Sequence, residues 1–217
     1  MRIPTHYTNI GTKRRFSVQL ERLFSGLKII NISNPAALTM AAAYNTPSEA
    51  KGVTISGNYA YVADGSSGIR IIDISMPTSP SEVGHYDTPG YALDIVVSDS
   101  FAYIADYGYT FRIINIKDPT NPTEVGYYVT SGLIYGVDVS GSYAYVANNT
   151  KGLRIINISD PANPFEIDSC GKPGYARDVA VSGSYAYVAD DSVGLRIIDI
   201  TNPANVNEIG HYSMGEW

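Results

Sequence analysis

The segment YAYVAD at 59–64 returns as FAYIAD at 101–106, YAYVAN at 143–148 and YAYVAD at 185–190, at a constant step of 42 residues. A fixed step of this length means that one supersecondary unit has been copied along the chain, each copy burying its apolar face against the next. Three further blocks keep the same step. GVTIS (52–56), DIVVS (94–98), GVDVS (136–140) and DVAVS (178–182) precede it. LKIINIS (27–33), IRIIDIS (69–75), FRIINIK (111–117), LRIINIS (153–159) and LRIIDIT (195–201) follow it. SEVGHY (81–86), TEVGYY (123–128), FEIDSC (165–170) and NEIGHY (207–212) close the unit.

The runs are short and rich in Val, Ile and Tyr, which favours strands over helices. Ser56-Gly57, Ser98-Asp99, Ser140-Gly141 and Ser182-Gly183 mark a first hairpin turn, Gly68, Gly152 and Gly194 end a second connection, and Pro-containing turns make the third. Four antiparallel strands in about 42 residues is the arithmetic of a β-propeller blade. Hydrophobic residues make up 44% of the 217, enough to build a core.

The run Leu195-Arg196-Ile197-Ile198-Asp199, with 69–73 and the Asn-ending versions at 153–157 and 27–31, resembles the signature of LVIVD-repeat proteins. The resemblance covers residues 26–217. It implies a propeller and a bacterial or archaeal cell-surface, extracytoplasmic setting, and brings no established activity with it.

Complete copies run at about 47–88, 89–130, 131–172 and 173–214, and residues 26–46 supply the outer half of an earlier one. Phe16–Leu20 falls where that copy's second strand belongs, so about 5–46 forms a degenerate first copy. The expected fold is therefore a single all-β domain over 1–217, a five-bladed propeller of four-stranded antiparallel blades, monomeric if the ring closes. The rival is a fragment of a larger propeller, because Trp217 falls where Tyr91 and Tyr175 fall, at the start of a new unit.

Charge excludes one class of partner. Residues 1–25 carry five basic residues (Arg2, Lys13, Arg14, Arg15, Arg22) against Glu21, so against a net charge of −6 the other 192 residues carry −10. An acidic body does not suit nucleic acid. Cys170 is the single cysteine and makes no internal disulfide. No apolar run approaches the ~20 residues of a membrane helix, and the basic N-terminus has no apolar stretch after it to make a signal peptide.

Three sets of residues recur conspicuously. Arg70, Arg112, Arg154 and Arg196, with Lys28, hold one position of the third strand. A buried cation needs a partner, so they read as structural inter-blade ion pairs, with Asp64, Asp106 and Asp190, or Asp94 and Asp178, as partners. The pairs Tyr59/Tyr61, Tyr143/Tyr145 and Tyr185/Tyr187 share a strand face and read as core. Asp64, Asp106, Asn148 and Asp190 end the second strand, and Tyr91, Tyr175 and Trp217 precede the first. In a propeller these two loop types emerge on one rim, where acids and aromatics can bind a cation, a sugar or a peptide, or the acids can hydrogen-bond their own turns.

Catalysis finds little support. His85 and His211 are repeat equivalents on the outermost strand, Cys170 replaces a repeated Tyr, and no nucleophile-base arrangement, phosphate loop or metal-ligand spacing occurs. No cofactor or metal is expected. Asn31, Asn148 and Asn157 begin N-x-Ser/Thr triplets, largely as a by-product of the repeat. The expected function is a non-catalytic binding, adhesion or scaffolding module that contacts protein or glycan through rim loops or blade surface. The alternatives are a lyase or hydrolase with its site at the channel mouth, discriminated by one non-repeated cluster of titratable residues in the rim loops, and a structural segment of a longer surface protein.

Overall fold

A computed structural model describes residues 8–9, 16–21, 26–171 and 174–213. These residues are all β, and none of them forms a helix long and apolar enough to cross a membrane. Among the described residues, twenty strands make five four-stranded antiparallel sheets, each in simple chain order. The first holds β1 (Thr8–Asn9), β2 (Phe16–Glu21), β3 (Gly26–Asn31) and β4 (Thr39–Asn45). The second holds β5 (Gly52–Ser56), β6 (Tyr59–Ala63), β7 (Ile69–Asp73) and β8 (Ser81–Tyr86). In the third are β9 (Tyr91–Ser98), β10 (Phe101–Tyr107), β11 (Thr110–Asn115) and β12 (Thr123–Val129). The fourth has β13 (Gly136–Ser140), β14 (Tyr143–Ala147), β15 (Leu153–Asn157) and β16 (Phe165–Cys170). β17 (Ala176–Ser182), β18 (Tyr185–Asp190), β19 (Gly194–Asp199) and β20 (Asn207–Tyr212) complete the fifth. Each sheet is one repeat copy, so the expected count of five four-stranded blades is met.

By packing, the chain divides into two compact units, Met1–Ala102 with Asn115–Thr123, and Tyr103–Ile114 with Glu124–Trp217. Within the first unit, Val18, Leu27 and Ile29 of the first sheet pack with Val53, Ala60, Val62 and Ile72 of the second. Within the second unit, Tyr145, Ala147, Leu153 and Ile155 pack with Ala186, Val188 and Ile198 in the same way. The inner strands are covered on both faces, which is why Ala60 to Ala63 are buried one after another instead of alternately.

Two-residue turns join the first and second strands of sheets two to five. Each begins with a residue at positive φ: Gly57 (59°), Asp99 (53°), Gly141 (57°) and Gly183 (58°). Short hairpins of this kind need the left-handed region, which Gly, Asn and Asp reach most easily.

The first sheet departs from the 42-residue step. Val18 pairs with Ile29 as Tyr61 pairs with Ile71, so β2 stands 43 residues before β6 while β3 keeps the step of 42. One residue decides which face a strand side chain takes, and this offset puts Val18 into the core.

Candidate functional site

The recurring arginines are paired, but inside one sheet rather than between sheets. Arg112 Nε meets Asp106 Oδ2 at 2.5 Å and its Nη1 meets Glu124 at 2.8 Å. Arg196 repeats this with Asp190 at 2.9 Å and Glu208 at 2.8 Å. Arg70 reaches Asp64 (3.9 Å), Glu82 (3.5 Å) and exposed Asp87 (3.0 Å). Arg154 holds Glu166 at 2.9 Å. The physical reason is register. In sheets two and five, a bulge in the third-to-fourth strand pairing sets Glu82 opposite Ile72 and Glu208 opposite Ile198, on the face that carries the arginine. The flexible arginine stem then spans from the second-strand end to the fourth strand. The glutamates also take the link between sheets: Tyr44 donates to Glu82 at 3.2 Å, and Tyr128 to Glu166 at 3.4 Å.

Asp64, Asp106, Asn148 and Asp190 are all buried at the second-strand ends, at 0%, 1%, 0% and 4% exposure. Asp64 accepts from Thr46 Oγ1 at 2.6 Å and the Ser48 amide at 3.0 Å. Burial still wins there and pushes its carboxyl above the ordinary range. Asp190 accepts from the amides of Tyr175 (3.1 Å), Ser192 (2.8 Å) and Val193 (3.2 Å) and from Arg196. Burial works against its charge too, but these donors outweigh it and hold the carboxyl below the usual range. In the fourth sheet the amide replaces the acid. Both polar atoms of the Asn148 side chain, and Arg154 Nε, are buried without a hydrogen-bond partner. Thr130, the repeat equivalent of Thr46, donates to the Gly132 carbonyl at 2.7 Å.

Just outside these buried ends, two groupings form. In the first unit Tyr91 donates to Glu49 at 2.9 Å, and Lys51 both pairs with Glu49 (2.5 Å) and lies 5.7 Å from the Tyr91 ring centroid. In the second unit Arg177 is the centre. Its guanidinium lies 4.4 Å from the Tyr135 ring centroid and 5.8 Å from that of Tyr175. Its Nε meets Asp191 Oδ2 at 2.5 Å. Burial opposes its charge, yet hydrogen bonds to Asp191 and Tyr135 hold the guanidinium above its ordinary range. Tyr107 stands edge-on to Tyr135 (5.5 Å, 75°), and a hydrogen bond between the two phenols raises the Tyr107 pKa.

Two residues beyond Tyr107, Tyr109 sits in a strained turn. β10 and β11 pair so far along that only Gly108 and Tyr109 remain between them, and Tyr109 adopts φ 97°. A non-glycine residue in that region costs about 1–3 kcal/mol and persists only where its surroundings impose it. Thr130 does so, its amide donating to the Tyr109 carbonyl at 2.7 Å. Tyr107, Tyr109 and Tyr175 remain 39%, 48% and 46% exposed.

Of the expected rim residues, Tyr175 enters the second grouping and Tyr91 the first, while Trp217 lies outside the described residues. Sequence reasoning passed over Tyr107, Tyr109, Tyr135, Arg177 and Asp191. The signal for them was failure of the repeat. Position 107 is Gly65, Asn149 and Asp191 elsewhere, position 109 is Ser67, Lys151 and Val193, and position 135 is Lys51, Leu93 and Arg177. Among the described residues, no three His, Cys, Asp or Glu side chains are grouped to hold a metal.

No curated protein matches the chain. Solved structures do match: a functionally unknown protein from Desulfotomaculum acetoxidans (TM-score 0.80, 16% identity, 99% of this chain and 72% of that one), and a putative 6-phosphogluconolactonase from Bacteroides fragilis (0.77, 15%, 92% and 68%). The computationally designed Ika8 protein also matches (0.70, 11%, 93% and 61%). In all, 1095 solved chains match, so the likeness carries a widely shared fold and no particular activity. The LVIVD repeat model matches residues 24–46, 47–88, 89–130, 132–171 and 173–214, and with that the chain belongs to the LVIVD repeat family.

Proposed function

We propose that this chain is a non-catalytic recognition module that engages its ligand at the loop ends of its second strands, with Tyr107, Tyr175, Arg177 and Asp191 as the contact residues. The cluster around Arg177 is non-repeated and titratable, the feature that would mark a lyase or hydrolase, but its cation and carboxylate are paired with each other and it brings no nucleophile together with a base, so recognition is the reading it supports, and one observation carries it. The positions that build the sheets are nearly invariant among the four complete repeats, whereas the positions of Tyr107 and Asp191 and of Tyr135 and Arg177 differ in every copy, and these residues meet with Tyr175 in one part-exposed cluster. Tyr and Arg are the residues that anchor interfaces, because each offers a large rigid contact area with a polar end.

A protein or a glycan is the partner class, and the family resemblance makes an extracytoplasmic setting part of the proposal. The test is a thermal-shift screen of the whole chain against glycans, peptides and divalent cations. A stabilising ligand whose effect vanishes in Arg177→Ala and Tyr175→Ala is the expected result. A ligand whose effect survives both substitutions places recognition elsewhere and overturns the reading.

A further inference from the structure

Successive sheets meet in one stereotyped way. In the second unit, Tyr145, Leu153 and Ile155 on the trailing face of the fourth sheet are buried with Ile198, Ile200 and Val206 on the leading face of the fifth. The Pro-containing turn of the following sheet seats on a fourth-strand glycine, so that a Cβ on Gly84 or Gly126 would strike the Pro119 or Pro161 carbonyl. The fourth-strand tyrosine reaches the next sheet's glutamate, as Tyr44 does Glu82 and Tyr128 does Glu166.

The fifth sheet has the same trailing face without that cover. Leu195, the repeat equivalent of Leu153, is 38% exposed rather than 1%. Tyr187 and Ile197 are half-buried where Tyr145 and Ile155 are fully buried. Ile209 and Tyr212 are 58% and 69% exposed, and a Cβ on Gly210 meets nothing within 4 Å.

The first sheet has the matching leading face, also open. Ile30 and Ile32 are half-buried where Ile198 and Ile200 are buried. Leu38 holds the position of buried Val206 yet is 58% exposed. Met40 holds the position of Glu82, Glu124, Glu166 and Glu208 and is 61% exposed. Methionine there removes the carboxylate and makes this face more apolar than its equivalents.

Exposed apolar sheet faces are sites of association. We propose that these two faces cover each other between copies of this chain, the fifth sheet of one copy against the first sheet of the next. Tyr212 then lies over Met40, a favourable ring-to-thioether contact. Leu195 and Ile209 join one apolar cluster with Ile30 and Leu38, and the Pro35 turn seats on Gly210. A sheet of the same repeat is the occupant because such a sheet covers this face at each step from the first sheet to the fifth. The two faces differ, so the contact runs head to tail.

The experiment is sedimentation equilibrium of the whole chain over a concentration series, with circular dichroism to confirm the β content of each variant. The parent chain should show a mass of two chains or more. Met40→Lys and Ile209→Lys should each be monomeric. Their equimolar mixture should recover a two-chain mass, because each variant keeps the face that the other has lost. Val129→Lys, at an exposed apolar position on β12, leaves the association intact. Leu38→Lys with Leu195→Lys repeats the test at a second pair of positions should either first variant fail to fold. A parent chain that stays monomeric throughout overturns the proposal. So does a mixture that remains monomeric, or association that survives Met40→Lys alone and is lost in Ile209→Lys, which would mean a fifth sheet meeting another fifth sheet.

Discussion

The guanidinium of Arg177 lies 4.4 Å from the ring centroid of Tyr135, although the two residues hold the same position of successive repeats. Repetition brings equivalent positions side by side, and divergence at one position therefore creates a contact between unlike residues. Arg177→Lys keeps the charge but loses the planar stack and the Nε–Asp191 contact. It should cost about 1 kcal/mol in thermal unfolding and change the near-ultraviolet circular dichroism of the tyrosines. An unaltered tyrosine spectrum counts against an ordered stack.

Tyr109 stores strain that glycine would release. Tyr109→Gly should stabilise the chain by about 1 kcal/mol, because φ 97° is then no longer penalised. A lower denaturation midpoint in this variant would mean that the Tyr109 side chain contributes more to folding than its backbone strain removes.

Asn148 breaks a pattern that Asp106 and Asp190 keep. Asn148→Asp gives Arg154 Nε a charged acceptor and should raise stability by about 1 kcal/mol, read as an increased urea midpoint. The reverse change, Asp190→Asn, leaves Arg196 Nε and three amides facing a neutral group, and should cost about 3 kcal/mol. Equal effects of the two substitutions would show that charge at this position is immaterial.

Asp64 and Asp190 should give pH dependences of opposite sign. The folded pKa of Asp190 lies below its ordinary 3.8, so the unfolded chain binds the proton more readily. Its contribution is present above 3.8 and is lost as pH falls through the folded value. The folded pKa of Asp64 lies above 3.8, so the folded chain binds the proton more readily, and stability is lost as pH rises from 3.8 through the folded value. Relative to the parent chain, Asp190→Asn should therefore be more damaging at pH 7 than at pH 3, and Asp64→Asn less damaging. Denaturation at the two pH values decides it, and shifts of the same sign for both would be the contrary outcome.

Gly84, Gly126 and Gly210 share one repeat position but not one environment. A Cβ on Gly126 would stand 2.2 Å from the Pro161 carbonyl oxygen, whereas one on Gly210 meets nothing within 4 Å. Gly126→Ala should cost about 2 kcal/mol or more, while Gly210→Ala stays within about 0.5 kcal/mol. Comparable unfolding midpoints for the two variants would mean that the close approach of the Pro161 turn is soft.

The 42-residue step and the four short β-rich runs in each copy were enough to obtain five four-stranded antiparallel sheets, because strand length, turn chemistry and apolar content are local properties written into every repeat. The arginine column was legible as a set of buried cations for the same reason. Its partners were legible only in part. Glu82, Glu124, Glu166 and Glu208 recur at the same step as the arginines, but a bulge in the strand pairing is what carries Glu82 and Glu208 onto the arginine face, and a bulge leaves no mark in residue spacing.

By itself, then, the sequence determined the unit: its strands, its turns, its apolar faces and the ionisable groups it must pair. Tertiary structure alone decided the 43-residue offset that turns Val18 inward, the confinement of each arginine pair to one sheet, and the meeting of Tyr107, Tyr135, Tyr175, Arg177 and Asp191. The physical reason is that these depend on register and on which loop ends become neighbours. Residues as distant in the chain as Tyr107 and Asp191 share a cluster only after the sheets have packed.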